Sequence, residues 1–131
     1  MDWSQTEAPS LDDFEAMARD GYAGLPEEFR ALAGDIVFRI DDFPGEDVIE
    51  EMELESEFEI LGLFQGPDLA AQEAGHGSQT MIFLYRRPIL DYWAEHEEKL
   101  GDIVRHVLIH EIGHHFGLSD EDMHEIEDAA D

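Results

Sequence analysis

The sequence contains no cysteine and very little positive charge. Without cysteine the chain forms neither disulfides nor thiolate metal sites, which is typical of a reducing cytoplasm, where we expect the protein to act. Only 7 basic residues stand against 34 acidic ones, and the formal net charge is −27. This charge repels nucleic acids and anionic lipids and favours cations and basic peptides. A strongly solvated surface is the simpler interpretation, and we expect neither a nucleic-acid nor a membrane partner.

Long apolar runs are also missing, and we expect no secretory signal. The sequence has no run of about 20 apolar residues, the length that a membrane-spanning helix needs. Residues 1–9 have neither the basic nor the apolar region of a secretory signal, and we expect a flexible N-terminal segment there. The hydrophobic content of 43% supports a folded chain. We therefore expect one domain over residues 1–131, with a core large enough to need no cross-links.

Helix patterns dominate both ends of the chain, and short strand patterns lie between them. The predicted helices cover residues 11–22, 26–33, 46–54, 88–100, 102–116 and 119–129. The predicted strands are 36–41, 58–64 and 79–85, with a loop over residues 68–78. Ser10 and Ser119 are suited to cap the first and last helices, and Asp122 is placed to complete a capping box with Ser119. Because helices and strands do not alternate regularly, the order predicts an α+β fold.

The segment from His110 to His114 reads His-Glu-Ile-Gly-His and is the main candidate for a metal-binding and catalytic site in the sequence. Residues four apart lie about 40° apart around a helix and one turn from each other, so both imidazoles can reach one cation. Zinc accepts two such ligands and favours tetrahedral coordination. Glu111 is poorly placed as a ligand but can reach a water beside the metal and act as general base. The pattern predicts a zinc site on a helix.

The residues that follow make a chance match much rarer. Gly117 lies three residues after His114, where the helix must end and a left-handed glycine is favourable. Asp120 lies three residues further on and is our candidate for the third zinc ligand. Two alternatives stay open: Asp120 can simply stabilise the start of the last helix, and His124 is a rival ligand. Iron, cobalt or manganese would also suit imidazole and carboxylate ligands.

The remaining histidines carry weaker signals. His106 lies one turn before His110 and can orient a ligand, although a place at the surface or the edge of the core is the simpler interpretation. His115 points about 100° away from His114 and cannot share its direction. We expect it to pack or to bond the backbone. His76 and His96 belong to no pattern and are interpreted as surface residues.

These residues resemble a family, the minimal bacterial zincin-like metallopeptidases with an H-E-x-x-H-x-x-G-x-x-D motif. The resemblance is carried by residues 25–29, 84–89 and 107–122, and by the glycine-bounded stretch 62–66, and it extends over about residues 11–127. It implies a compact zincin-like domain with a small mixed sheet against the active-site helix. It also implies His110, His114 and Asp120 as zinc ligands and Glu111 as general base. The chain departs from the family in its high acidic content, and no separate Met-turn segment follows the motif.

The resemblance further implies hydrolysis of peptides or unfolded proteins. An edge strand beside the cleft would hold an extended substrate, and we expect residues 79–85 to be that strand. Tyr85 and Arg86 or Arg87 can stabilise an oxyanion or a substrate carboxylate, although packing of the tyrosine and pairing of the arginines with acidic groups are the simpler interpretations. Two further hypotheses are a non-catalytic metal-binding or partner-binding module, and an adaptor whose acidic surface binds a basic protein.

Overall fold

A small mixed sheet lies between helices in the computed structural model, which describes residues 2–66 and 80–130. The described helices are α1 (Leu11–Ala23), α2 (Glu27–Ala33), α3 (Glu46–Glu51), α4 (Arg86–Glu95), α5 (Leu100–His115) and α6 (Asp120–Ala129). The described strands are β1 (Ile36–Asp41), β2 (Gly62–Gln65) and β3 (Thr80–Tyr85). The expected α+β class, with a small mixed sheet packed against a helix, is confirmed. The loop predicted over residues 68–78 lies outside the described residues.

The sheet has the order β1-β3-β2, so β3 is its central strand. β1 pairs with β3 in parallel and β2 pairs with it in antiparallel fashion. The expectation that residues 79–85 form an edge strand for substrate is therefore wrong, because both sides of β3 are already hydrogen-bonded to other strands. The two edges of the described sheet are β1 and β2, and only β2 lies against α5.

One face of the sheet and one side of α5 form the core. Ile82 and Leu84 of β3 are fully buried, and so are Phe14 and Ala18 of α1. α1 packs against both α5 and β1. The buried side chains of α5 are mainly branched and aliphatic: Ile103, Val104, Val107, Leu108, Ile109 and Ile112. Because the apolar side of α5 packs into the core, the positions of the histidines on its other side are fixed as well.

Both predicted caps are present, and each of them forms a capping box. The Ser10 hydroxyl accepts from the Asp13 N–H, and the Ser119 hydroxyl accepts from the Asp122 N–H, each at 3.1 Å. In return, the Asp122 carboxylate accepts from the Ser119 N–H. Ser119 thereby fixes the start of α6 directly after the turn at Gly117, whose φ of 73° is the left-handed conformation expected there.

α4 begins two residues before its predicted start and ends at Glu95, five residues before its predicted end, and two further differences occur at glycines. β2 begins at Gly62, four residues later than predicted, and α5 begins at Leu100, with Gly101 inside its first turn. A Cβ on residue 62 would lie 2.7 Å from Val107 Cγ1 and 2.9 Å from the Phe83 carbonyl oxygen. Glycine is therefore required there, because β2 and α5 approach each other closely at that point.

Candidate metal centre

Three histidines occupy successive turns of α5 on the side away from the buried aliphatic side chains. The ring centroids of His106 and His110 lie 3.9 Å apart in a stacked arrangement, and those of His110 and His114 lie 5.7 Å apart, edge to face. Along this row, His106 and His114 are exposed, whereas His110 is only partly exposed. The spacing expected for two histidines that share one cation is therefore present, and it continues one turn further toward the start of the helix.

Helix α6 crosses this histidine row in the direction opposite to α5. Met123 near its start lies against Gly113, and Glu127 near its end lies against His106 and His110. A Cβ at residue 113 would lie 2.5 Å from Met123 Sδ, so the glycine inside the motif lets the two helices approach closely. Glu127 is thereby brought next to the imidazoles of His106 and His110.

Glu127 is the residue around which two of the imidazoles converge. Its Oε1 lies 2.5 Å from His106 Nδ1 and 3.2 Å from His110 Nε2. The three ligand atoms of this group lie within 4.8 Å of one another, and among residues 2–66 and 80–130 no other group of three or more His, Asp or Glu side chains meets that spacing. Sequence reasoning missed Glu127 altogether and treated His106 as a surface or core-edge group.

Two atoms of this group are buried without a hydrogen-bond partner: His110 Nε2 and Glu127 Oε1. An unsatisfied buried polar pair is costly unless something else coordinates it. Burial, with His106 as the second cause, lowers the pKa of His110, although Glu127 opposes the shift. A lowered pKa keeps the imidazole neutral, which is the form that binds a metal. Two imidazoles and a carboxylate are a ligand set that zinc accepts, so these residues fit the ion that the motif predicts.

Glu111 lies on the other side of the histidine row, next to β2. Its carboxylate accepts a hydrogen bond from the Phe64 backbone, and its pKa is raised because of burial, with His114 and the Phe64 hydrogen bond opposing that shift. The Tyr85 N–H donates to the Leu61 carbonyl. In an antiparallel pair the hydrogen-bonded positions alternate, so the N–H of Phe64 faces the free edge of β2. Glu111 is thus held at the edge of the sheet, close to His114.

Asp120, the predicted third ligand, lies outside the cluster around Glu127. Asp120 is the first residue of α6 and is exposed, as His124 is. Neither belongs to the group formed by His106, His110 and Glu127. The prediction that His110, His114 and Asp120 bind zinc together stays a prediction, and so does the role of Glu111 as general base.

Two of the remaining histidines have other contacts, and His76 lies outside the described residues. The ring of His115 lies 4.3 Å from that of Phe64, which fits the expected packing role. His96 stacks on Tyr92 at 3.8 Å, and its Nδ1 lies 2.6 Å from the Tyr92 carbonyl oxygen. These contacts place His96 and His115 outside the row that faces α6.

The residues considered for oxyanion stabilisation are engaged elsewhere. Arg86 donates from Nε to the Pro9 carbonyl at 2.6 Å and from a terminal nitrogen to Asp42 at 3.1 Å. The guanidinium of Arg87 lies 5.7 Å from the centre of the Phe43 ring. Tyr85 is only 2% exposed. The simpler interpretation, packing and pairing with acidic groups, fits these contacts better than substrate binding does.

Comparison with known proteins identifies the family. The model of the zincin-like metallopeptidases matches residues 33–130, which is most of the chain and includes α5 and α6. The chain belongs to the zincin-like metallopeptidase family. A search of curated proteins found no match. Membership in this family implies a metal ion, which agrees with the donor atoms that converge between α5 and α6. None of the helices in the described part of this zincin-like chain has the length and apolarity needed to cross a membrane.

Proposed function

We propose that the protein is a zinc-dependent peptidase in which His110, His114 and Asp120 bind the metal and Glu111 is the general base. The main support is the position of Glu111, which is half-buried between His114 and the free edge of β2. A general base must lie within reach of both the metal and the substrate backbone. Residues 33–130 match a family of metallopeptidases, so a peptide bond is the natural substrate.

Glu111 moves one proton in the proposed reaction. A zinc ion, when bound, supplies Lewis acidity that makes water a nucleophile near neutral pH. Glu111 accepts a proton as the water oxygen forms its bond to the carbonyl carbon. It then passes that proton to the nitrogen as the C–N bond breaks, and the products are a carboxylic acid and an amine. The hydrogen bond from Phe64 holds the carboxylate in place and lets it face the substrate.

The free edge of β2 is our candidate for holding the substrate. The backbone groups of Gly62 and Phe64 point away from β3, as the alternation along the antiparallel pair requires. Gly62 is buried and the Phe64 N–H donates to Glu111, so the Phe64 carbonyl is the group that an incoming strand would meet. An extended peptide that paired with this edge would run beside Glu111, and its main-chain hydrogen bonds would require no particular side chains. With a formal net charge of −27, the protein would attract basic peptides more strongly than acidic ones.

A direct test compares zinc-loaded wild type with Glu111→Gln on a diverse peptide library. We expect hydrolysis by the wild type and a kcat lower by about 10²–10⁴ in the variant, because general-base catalysis contributes about that much. Glu125→Gln removes the same charge from an exposed position on α6 and should leave kcat unchanged. If the wild type cleaves nothing while zinc raises its melting temperature, the site is a structural one and the proposal is wrong.

A further inference from the structure

The histidine row of α5 extends one turn beyond the two histidines of the zincin motif, and Glu127 of α6 contacts that additional turn. His106, His110 and His114 follow one another at four-residue intervals, so the first and last lie about 12 Å apart along the axis. Asp120 and Glu127 are seven residues apart, which places them on one side of α6 about 10 Å apart. Since the helices run in opposite directions, Glu127 lies at the His106 end of the row, and we expect Asp120 toward the other end.

We propose that His106, His110 and Glu127 form a second zinc position, one helical turn from the position formed by His110, His114 and Asp120. Three observations carry this proposal. The three ligand atoms lie within 4.8 Å of one another. His110 Nε2 and Glu127 Oε1 are buried without a hydrogen-bond partner. The donors are imidazole and carboxylate, which zinc accepts in tetrahedral sites.

The contacts within the cluster fit a cation better than hydrogen bonds alone. One carboxylate oxygen lies 2.5 Å from His106 Nδ1 and 3.2 Å from His110 Nε2, so three ligand atoms already converge on one point, while the buried oxygen and the His110 nitrogen do not meet the geometry of a hydrogen bond. A divalent ion at this point would coordinate all three atoms. The side chain of His106 is 55% exposed, so the ion can enter from solvent, and water can complete the tetrahedron.

His110 belongs to both positions, and this has a consequence for activity. One ring nitrogen coordinates one ion, so zinc held through His110 Nε2 by His106 and Glu127 removes that nitrogen from the position with His114. The ion would then lie one turn further from Glu111. Excess zinc would therefore inhibit hydrolysis by occupying the second position. This last step rests on the proposed function, whereas the second position itself rests only on the cluster.

The test measures zinc binding in full-length variants by elemental analysis after dialysis and by competition with a chelator. The double variant His114→Ala/Asp120→Asn keeps the second position, and we expect it to bind about one zinc per chain. Adding His106→Ala to it should weaken zinc binding about 100-fold or more, because even the loss of a group that only supports a ligand costs 10–100-fold. The matched control adds His96→Ala instead, because His96 stacks on Tyr92 and lies outside the histidine row. This control should leave the zinc affinity unchanged.

Two results would overturn the second position: a folded double variant that binds no zinc, or one whose zinc affinity does not change with His106→Ala. If the double variant lost its helical circular dichroism signal, His114→Ala alone would be used for the same comparison. The visible spectrum of bound Co²⁺ gives an independent reading of the ligands and should change with His106→Ala. The proposed function fails separately, by the absence of peptide hydrolysis in wild type, so the two failures are distinguishable.

Discussion

Replacing Gly62 by alanine should destabilise the protein at the point where β2 approaches the active-site helix. The added Cβ would lie 2.7 Å from Val107 Cγ1 and 2.9 Å from the Phe83 carbonyl oxygen. The valine can shift slightly, but the carbonyl belongs to the central strand of the sheet and cannot move without disturbing the ladder. The strain therefore remains mainly between β2 and β3.

The expected size follows from two opposing contributions. Overpacking a filled core costs about 1–3 kcal/mol in the free energy of unfolding. Replacing a glycine inside a regular element recovers about 0.5–1 kcal/mol, because alanine has less backbone freedom to lose. The net loss should be about 1–2 kcal/mol. For a chain of this length, this corresponds to a melting temperature lower by about 4–8 °C.

Thermal and urea unfolding, followed by circular dichroism, would measure this effect. Gly101→Ala is the matched control: it makes the same change inside the first turn of α5, where an added Cβ meets nothing within 4 Å. The control should raise the free energy of unfolding by about 0.5–1 kcal/mol. If Gly62→Ala were as stable as Gly101→Ala, the close packing of residue 62 against Val107 and the Phe83 carbonyl would be refuted.

Three further predictions follow from the cap of α6, the buried tyrosine and the metal. Ser119→Ala should lower the free energy of unfolding by about 1 kcal/mol in a urea titration, because it removes one half of a capping box; an unchanged midpoint would contradict the cap. Burial, followed by the charges of Asp41, Asp47 and Glu111, raises the pKa of Tyr85 to about 12 from an ordinary value of 10.0. Its contribution to the free energy of unfolding, about 1–2 kcal/mol after allowance for solvent screening, should be present below pH 10 and be lost between pH 10 and 12, where the unfolded phenol ionises first. Between pH 10 and 12 the urea midpoint should fall less steeply with pH in Tyr85→Phe than in wild type, and equal slopes would refute the raised pKa of Tyr85. Zinc at 100 times its Kd should stabilise the folded chain by about 2.7 kcal/mol, seen as a higher melting temperature that a chelator reverses; an unmoved melting temperature would contradict a site specific to the fold.

Features that depend on residues close together in the sequence were predicted correctly. The strand at residues 36–41 has the predicted bounds, and the caps at Ser10 and Ser119 are present. The turn at Gly117 has the expected left-handed conformation. Each of these features depends on neighbours within a few residues, where hydrogen bonds and allowed φ angles follow from the residue type.

The features that depend on distant contacts were predicted less well. The late start of β2 at Gly62 follows from its approach to Val107, which is 45 residues away in the sequence. The central place of β3 had a signal, since a short strand that is apolar on both faces is typical of a strand with neighbours on both sides. The expectation of an edge strand came from the resemblance and conflicted with that pattern.

The metal centre shows the same division between local and distant contacts. The four-residue spacing of His110 and His114 already places both rings on one side of a helix, and the structure confirms that placement. Which acidic residue approaches the histidines depends on the position of α6 along α5 and on its rotation about its own axis. The close contact between Gly113 and Met123 fixes both. With Asp120 and Glu127 on one side of α6, both acids can face the row, each at its own end. The spacing of the motif alone points to Asp120, whereas the packing of the helices brings Glu127 against His110, the residue that the two proposed positions would share.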